Sequence, residues 1–171
     1  YLNYVKNYAD AMIDSTGIID GFDMKKHDLS HLAGGYALFD LYNATRNKAY
    51  LLAAVNLREQ LFRQPRTNPD RVFTDNEPDW IGKLYWYVPF YTAFGAIYNV
   101  FPVFDDVTTQ LLYTSYYTTD KNSGFNFTLW NDRAGDNKQQ IESVSIGLYM
   151  MSVVDALDYL PFSFANRQKL L

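Results

Sequence analysis

Apolar residues recur at helical spacing along almost the whole chain, and this periodicity constrains the fold more than any other feature. Leu2, Val5, Tyr8/Ala9 and Met12/Ile13 form one stripe, and Leu32, Tyr36, Phe39 and Leu41/Tyr42 a second. Tyr50/Leu51, Ala54, Leu57 and Leu61 form a third, which Pro65 halts. A fourth helix is predicted from Trp80 to Tyr98, with Pro89 inside it implying a kink or a shorter helix. Residues 103–118 and 140–160 supply a fifth and a sixth, the latter stopped by Pro161, and a seventh begins near Ala165. No segment sustains a period of two, although residues 124–130 (GFNFTLW) fit a short strand. The expected fold class is all-α.

Short turns are predicted at residues 43–48, 99–102 and 161–165. Tyr42, Tyr98 and Tyr159 precede them, so the chain reads as a helical-hairpin array with a repeat of about 55–60 residues. Three long connections alternate with these turns, at roughly residues 15–30, 64–79 and 119–139. Connections of that length are uncommon unless they carry function. If successive helices are antiparallel, the long connections gather at one end of the array. That end would hold His27, Asp28, His31, Asp75, Glu77, Asp79, Asp132 and Asp136. The alternative is a plain helical solenoid whose long connections are tolerated insertions.

Composition narrows the function classes. The chain has 171 residues, enough for one domain with a sizeable core, and opens at Tyr1 as though part of something longer. Its 19 acidic and 15 basic residues give a formal charge of −4 with no basic run, against a nucleic-acid or anionic-membrane partner. No apolar stretch approaches the roughly 18 residues of a membrane span. Cysteine is absent, excluding disulfides and thiol chemistry while leaving the compartment undecided. Aromatic residues make up 18% of the chain, a content that suits both helix packing and sugar-stacking clefts.

Residues 53–67 (AAVNLREQLFRQPRT) closely resemble a helix-ending segment of the unsaturated rhamnogalacturonyl hydrolases, glycoside hydrolase family 105, whose relatives are the unsaturated glucuronyl hydrolases of family 88. The preceding LYNATRNKAYLLAA is similar to theirs. So are Trp80…Leu84-Tyr85…Pro89-Phe90-Tyr91 and the stretch from Gly147 through residues 154–161 (VDALDYLP). The matches run in family order over essentially the whole chain. The resemblance implies part of, or a derivative of, an (α/α)6 toroid: a single partial domain over residues 1–171 with about three helical hairpins. It also implies removal of a 4,5-unsaturated uronic acid from pectin- or glycosaminoglycan-derived oligosaccharides. In that chemistry an aspartic acid protonates the double bond, water adds, and the hemiketal collapses. The acid needs a raised pKa in a site that excludes bulk water. No metal and no organic cofactor is implied.

The chain departs from the family pattern at the positions that carry this chemistry. The acid of the family's Trp-x-Asp-Gly-x-Tyr motif aligns with Gly82, and the second active-site aspartate with Ser30. The histidine after the Pro-Arg-Thr segment has no counterpart in residues 68–76, and a substrate-facing Trp and Arg align with Glu142 and Val144. Two displaced carboxylates, Asp79 and Asp28, are the candidate catalytic residues. The alternative for each is a helix N-cap, where the helix dipole would lower the pKa. Trp80, His31, Tyr85 and Trp130 are the candidate oligosaccharide-binding residues, whereas Trp86, more than a turn inside a helix, reads as core. His27 and His31 have a metal-compatible spacing, but Gly34-Gly35 argues against a shared helix, and no metal is expected. Three readings stay open: a hydrolase with a displaced acid or with site residues outside residues 1–171, a non-catalytic oligosaccharide binder, and a helical-repeat interaction module.

Overall fold

The computed structural model describes residues 2–67, 71–75, 80–129 and 140–171. Helix α1 spans Leu2–Met12, and two 3₁₀ turns follow at Met24–Lys26 and Leu29–Leu32. Helices α2 (Ala37–Thr45) and α3 (Lys48–Arg63) form a hairpin closed by Arg46 in the left-handed region (φ 60°) and by Asn47, whose side chain accepts from the Ala49 N–H at 3.1 Å. A 3₁₀ turn at Ile81–Lys83 leads into α4 (Leu84–Ile97), and a short turn connects α4 to α5 (Pro102–Thr118). Helix α6 (Ser143–Tyr159) is followed by a last 3₁₀ turn at Ala165–Leu170. Among the described residues, short turns join α2 to α3 and α4 to α5, as read from the sequence.

Helix α4 forms the centre of the core. Ten of its fourteen residues are buried, so it is apolar on nearly all sides. It packs against α3, α5, α6 and the Leu29–Leu32 turn, while α2 packs on α3 and the C-terminal 3₁₀ turn on α5. Much of the aromatic content is used here. Phe39 of α2 stacks on Phe90 with centroids 5.8 Å apart and 9° between planes, and Phe94 stacks on Tyr98 at 4.4 Å. Apolar surface remains open at both ends of the array. One such surface is a cavity of about 470 Å³ lined by Val5, Tyr8, Met12 and Ile13 with Phe22 and Leu38; the other is the face of α6 bearing Val144, Met151 and Val154.

Helix α4, expected from Trp80 to Tyr98 with a kink or a shorter span, is the shorter helix: it starts at Leu84 and carries Pro89 in its second turn. Two local expectations are corrected. The second stripe divides into the Leu29–Leu32 turn and α2, because Gly35 lies against α4. A Cβ there would sit 2.7 Å from Phe90 Cδ2, so the chain crosses at a distance that excludes a side chain. The strand expected at 124–130 is absent over its described residues, which make only isolated bridges, Thr119 with Asn126 and Trp80 with Leu129. Gly124, at φ 76°, turns the chain there while Asp120 accepts from the Asn122 and Ser123 N–H groups. No helix among the described residues is long and apolar enough to cross a membrane.

Candidate functional site

The three long connections are tied together, largely by the end of α3. Gln60, in the last turn of α3, and Gln64, the residue that caps its C-terminal end, are both buried. Gln60 donates from Nε2 to the Asp28 carbonyl at 2.9 Å. Gln64 donates to the carbonyls of His27 at 2.7 Å and Thr74 at 2.8 Å. The second connection joins the third through the Ile81 N–H, which donates to the Thr128 carbonyl at 3.0 Å; the Thr128 N–H in turn donates to Gln140 at 2.8 Å. These buried amides replace water for loop carbonyls that would otherwise be unsatisfied. Sequence reasoning missed both glutamines. The place of Gln60 on the apolar face of α3, between Leu57 and Leu61, was the available signal.

Trp80 stands where these connections meet, at the N-cap position of the Ile81–Lys83 turn. Its indole Nε1–H donates to Ser145 Oγ at 2.6 Å, and that hydroxyl donates to Glu142 Oε2 at 3.2 Å. Trp86 meets the half-buried indole edge-on at 5.8 Å and is itself half-buried, an aromatic wall beside Trp80. The ring also covers Gly82. A Cβ built at residue 82 would lie 2.4 Å from Trp80 Cζ2 and 2.6 Å from Cε2 and Cη2. The space into which a side chain at 82 would project is filled by the indole.

The acidic candidates divide. Asp28 caps the Leu29–Leu32 turn by accepting from the Ser30 N–H at 2.9 Å, and its Oδ2 lies 3.8 Å from His31 Nε2. Burial pushes its carboxyl up, but the hydrogen bonds from Ser30 and the fields of His31 and Lys83 outweigh burial and hold it below the ordinary value. That favours the anion over a proton donor. Lys83 is itself buried in an ion pair with Asp75. Asp79 and Trp130 lie outside the described residues, as do Glu77, Asp132 and Asp136.

His27 and His31 fall on different turns. His27 terminates the first in the left-handed region (φ 53°), and His31 sits inside the second, edge-on to Phe22 at 5.7 Å. Among the described residues, no group of three or more His, Asp or Glu side chains is gathered as metal ligands would be. Tyr85 is half-buried in the first turn of α4, and its hydroxyl is pushed up by burial and then by the charge of Asp155. Asp155, on α6, is the one described carboxyl held above its ordinary range, by burial first and then by Asp158.

A family model described as Glycosyl Hydrolase Family 88 matches residues 1–171. The chain belongs to that family. Among solved structures, a family 105 glycoside hydrolase from C. acetobutylicum ATCC 824 superposes with a TM-score of 0.89 at 25% identity, covering 99% of this chain and 50% of that one. A polysaccharide lyase superposes at 0.72 with 16% identity over the same shares, a likeness of fold alone. The chain therefore spans about half the length of the structures it matches. As a family 88 member it is an all-α helical-hairpin array, part of the (α/α)6 toroid. Within that frame Gly82 lies under the indole of Trp80.

Proposed function

We propose that this family 88 chain supplies a carbohydrate-binding platform centred on Trp80, on a scaffold that does not place a proton donor at residue 82. The observation that carries the reading is the 2.4 Å separation between a Cβ at residue 82 and the Trp80 ring. A glycine has no proton to transfer, and the indole fills the volume a carboxylate would need. An indole fixed at its N–H end by Ser145 and walled by Trp86 is a rigid aromatic surface of the kind that stacks on a sugar ring. Residues 1–171 are taken as one partial toroid unit of about three hairpins.

The second reading is hydration of a 4,5-unsaturated uronide by a displaced acid. One feature favours it: the raised carboxyl of Asp155, the protonation behaviour such an acid requires. Asp28 and Asp79 remain the acids proposed from the sequence. One experiment separates the readings. Unsaturated rhamnogalacturonan disaccharide is incubated with the folded chain while the ultraviolet absorbance of its double bond is followed, and tryptophan fluorescence reports binding. The platform reading expects steady absorbance with a fluorescence change that Trp80→Ala abolishes. Loss of absorbance that disappears in Asp155→Asn, Asp28→Asn or Asp79→Asn would overturn it in favour of hydration. A helical sample that binds no oligosaccharide would leave the interaction-module reading.

A further inference from the structure

We infer that the groove between α3 and α5 is a saccharide site separate from the Trp80 platform, and that it takes a uronate-bearing oligosaccharide through Arg58, Arg71 and the exposed ring of Phe62. Helices α3 and α5 both pack on α4. Between them lies a groove of about 440 Å³, within the roughly 300–1,000 Å³ typical of small-ligand sites. Arg58 and Phe62 of α3, Arg71 of the second connection, and Asp105 and Thr109 of α5 line it. The groove shares no residue with the Trp80 platform. Its two helices are the third and fifth of the six described, so the apolar ends of the array do not enter into it.

Charge in the groove is unevenly paired. Arg66 and Asp106, which also line it, neutralise each other through two 2.7 Å bonds, and the Tyr91 hydroxyl donates to Asp106 at 3.1 Å. Arg58 and Arg71 form no ion pair among the described residues, so two arginines remain against one carboxylate, Asp105. Phe62 is 69% exposed, and the Arg58 guanidinium lies 5.2 Å from its ring centroid, so a cation adjoins an open aromatic surface. A guanidinium forks a carboxylate with two parallel bonds, and an open ring takes the apolar face of a pyranose. Asp105 and the Thr109 hydroxyl can accept from sugar hydroxyls. A uronate answers all of these features, whereas a neutral sugar lacks the charge and an acidic peptide lacks the pyranose face. Arg58 and Phe62 are also four residues apart on one helix, where a cation and a ring pair without any ligand. That structural role predicts a stability change in Arg58→Gln and no effect on binding.

The test is calorimetric titration of the chain and of Trp80→Ala at low salt with a galacturonate trimer, a galactose trimer and a glutamate hexamer, circular dichroism confirming that each sample is helical. Both proteins are expected to bind the galacturonate trimer, about 10-fold more tightly than the neutral trimer or the peptide. Arg58→Gln and Arg71→Gln are each expected to weaken that binding about 3–10-fold, the effect of one charge about 4 Å away in an exposed setting, and salt at about 0.5 M to weaken it likewise. Lys48→Gln, which removes the same charge from the opposite end of α3, is expected to leave it within about 2-fold. Loss of binding in Trp80→Ala, indifference to both arginine variants, an equal loss in Lys48→Gln, equal affinity for the neutral trimer or the peptide, or no binding at all would each overturn the inference. The platform is read separately, by tryptophan fluorescence, to which a groove with no tryptophan in its lining contributes nothing.

Discussion

The contact between Trp80 and Gly82 predicts a sign reversal that can be measured. Replacing a glycine by alanine at an ordinary backbone angle normally stabilises a chain by about 0.4–1 kcal/mol, by restricting the unfolded state. Gly82 is not among the glycines with positive φ, so its backbone gives no reason for any other result. The space does. A methyl group 2.4–2.6 Å from three indole carbons must displace the ring, an overpacking cost of about 1–3 kcal/mol. Moving the ring also breaks the 2.6 Å bond to Ser145, about 1 kcal/mol more. Gly82→Ala is therefore expected to destabilise by about 2–3 kcal/mol, lowering Tm by roughly 4–12 °C for a chain of this size.

The discriminating measurement is the double-mutant cycle. With Trp80→Ala in place, Gly82→Ala is expected to be neutral or slightly stabilising, which gives a coupling of about 3 kcal/mol between the two positions. Urea unfolding followed by circular dichroism measures all four proteins, with unchanged slopes confirming comparable transitions. Equal costs in the two backgrounds, or stabilisation by Gly82→Ala with Trp80 intact, would refute the reasoning about the indole's position. The carbohydrate-platform reading would then lose its main support.

Three further predictions concern charge. Asp28 has a folded pKa below its unfolded value, so its contribution is present above about pH 4 and is lost as pH falls toward the folded value. Asp28→Asn is thus expected to lower the urea midpoint at pH 7 and to converge with the parent near pH 2. Asp155 has the opposite sign, since burial and Asp158 raise its folded pKa and penalise its anion. Asp155→Asn is expected to raise the midpoint at pH 7 and to have no effect at pH 3. Arg66 makes two 2.7 Å bonds to Asp106 and lies 4.1 Å above the Phe73 ring. Lysine cannot reproduce the fork or the stacking, so Arg66→Lys is expected to cost about 1–3 kcal/mol by urea unfolding.

Helix placement was largely legible in the sequence because it depends on neighbours within a turn or two. The stripe ending at Leu61 and the stop at Pro65 located α3, Pro161 bounded α6, and the tyrosines before the short turns marked the hairpins. The interrupted second stripe was harder to read. Gly34-Gly35 hinted at a break, but its cause is Phe90, in a helix more than fifty positions away. Pro89 signalled a shorter helix, and α4 begins at Leu84 rather than at Trp80.

The candidate site follows the same division. Residue identities determined what is missing, since a glycine at 82 cannot transfer a proton whatever the fold. They also supplied both readings of Asp28, as acid and as cap. Only the tertiary structure decided that Asp28 caps a 3₁₀ turn and is held below its ordinary pKa. It alone decided that buried glutamines draw the long connections together, and that the indole of Trp80 covers Gly82. Trp80 is fixed by Ser145, 65 residues further along the chain, through a hydrogen bond formed only once α6 has packed against the 3₁₀ turn before α4. Local sequence sets which groups are available and where helices start and stop. Where those groups point depends on contacts between segments distant in the chain, and those contacts exist only in the folded packing.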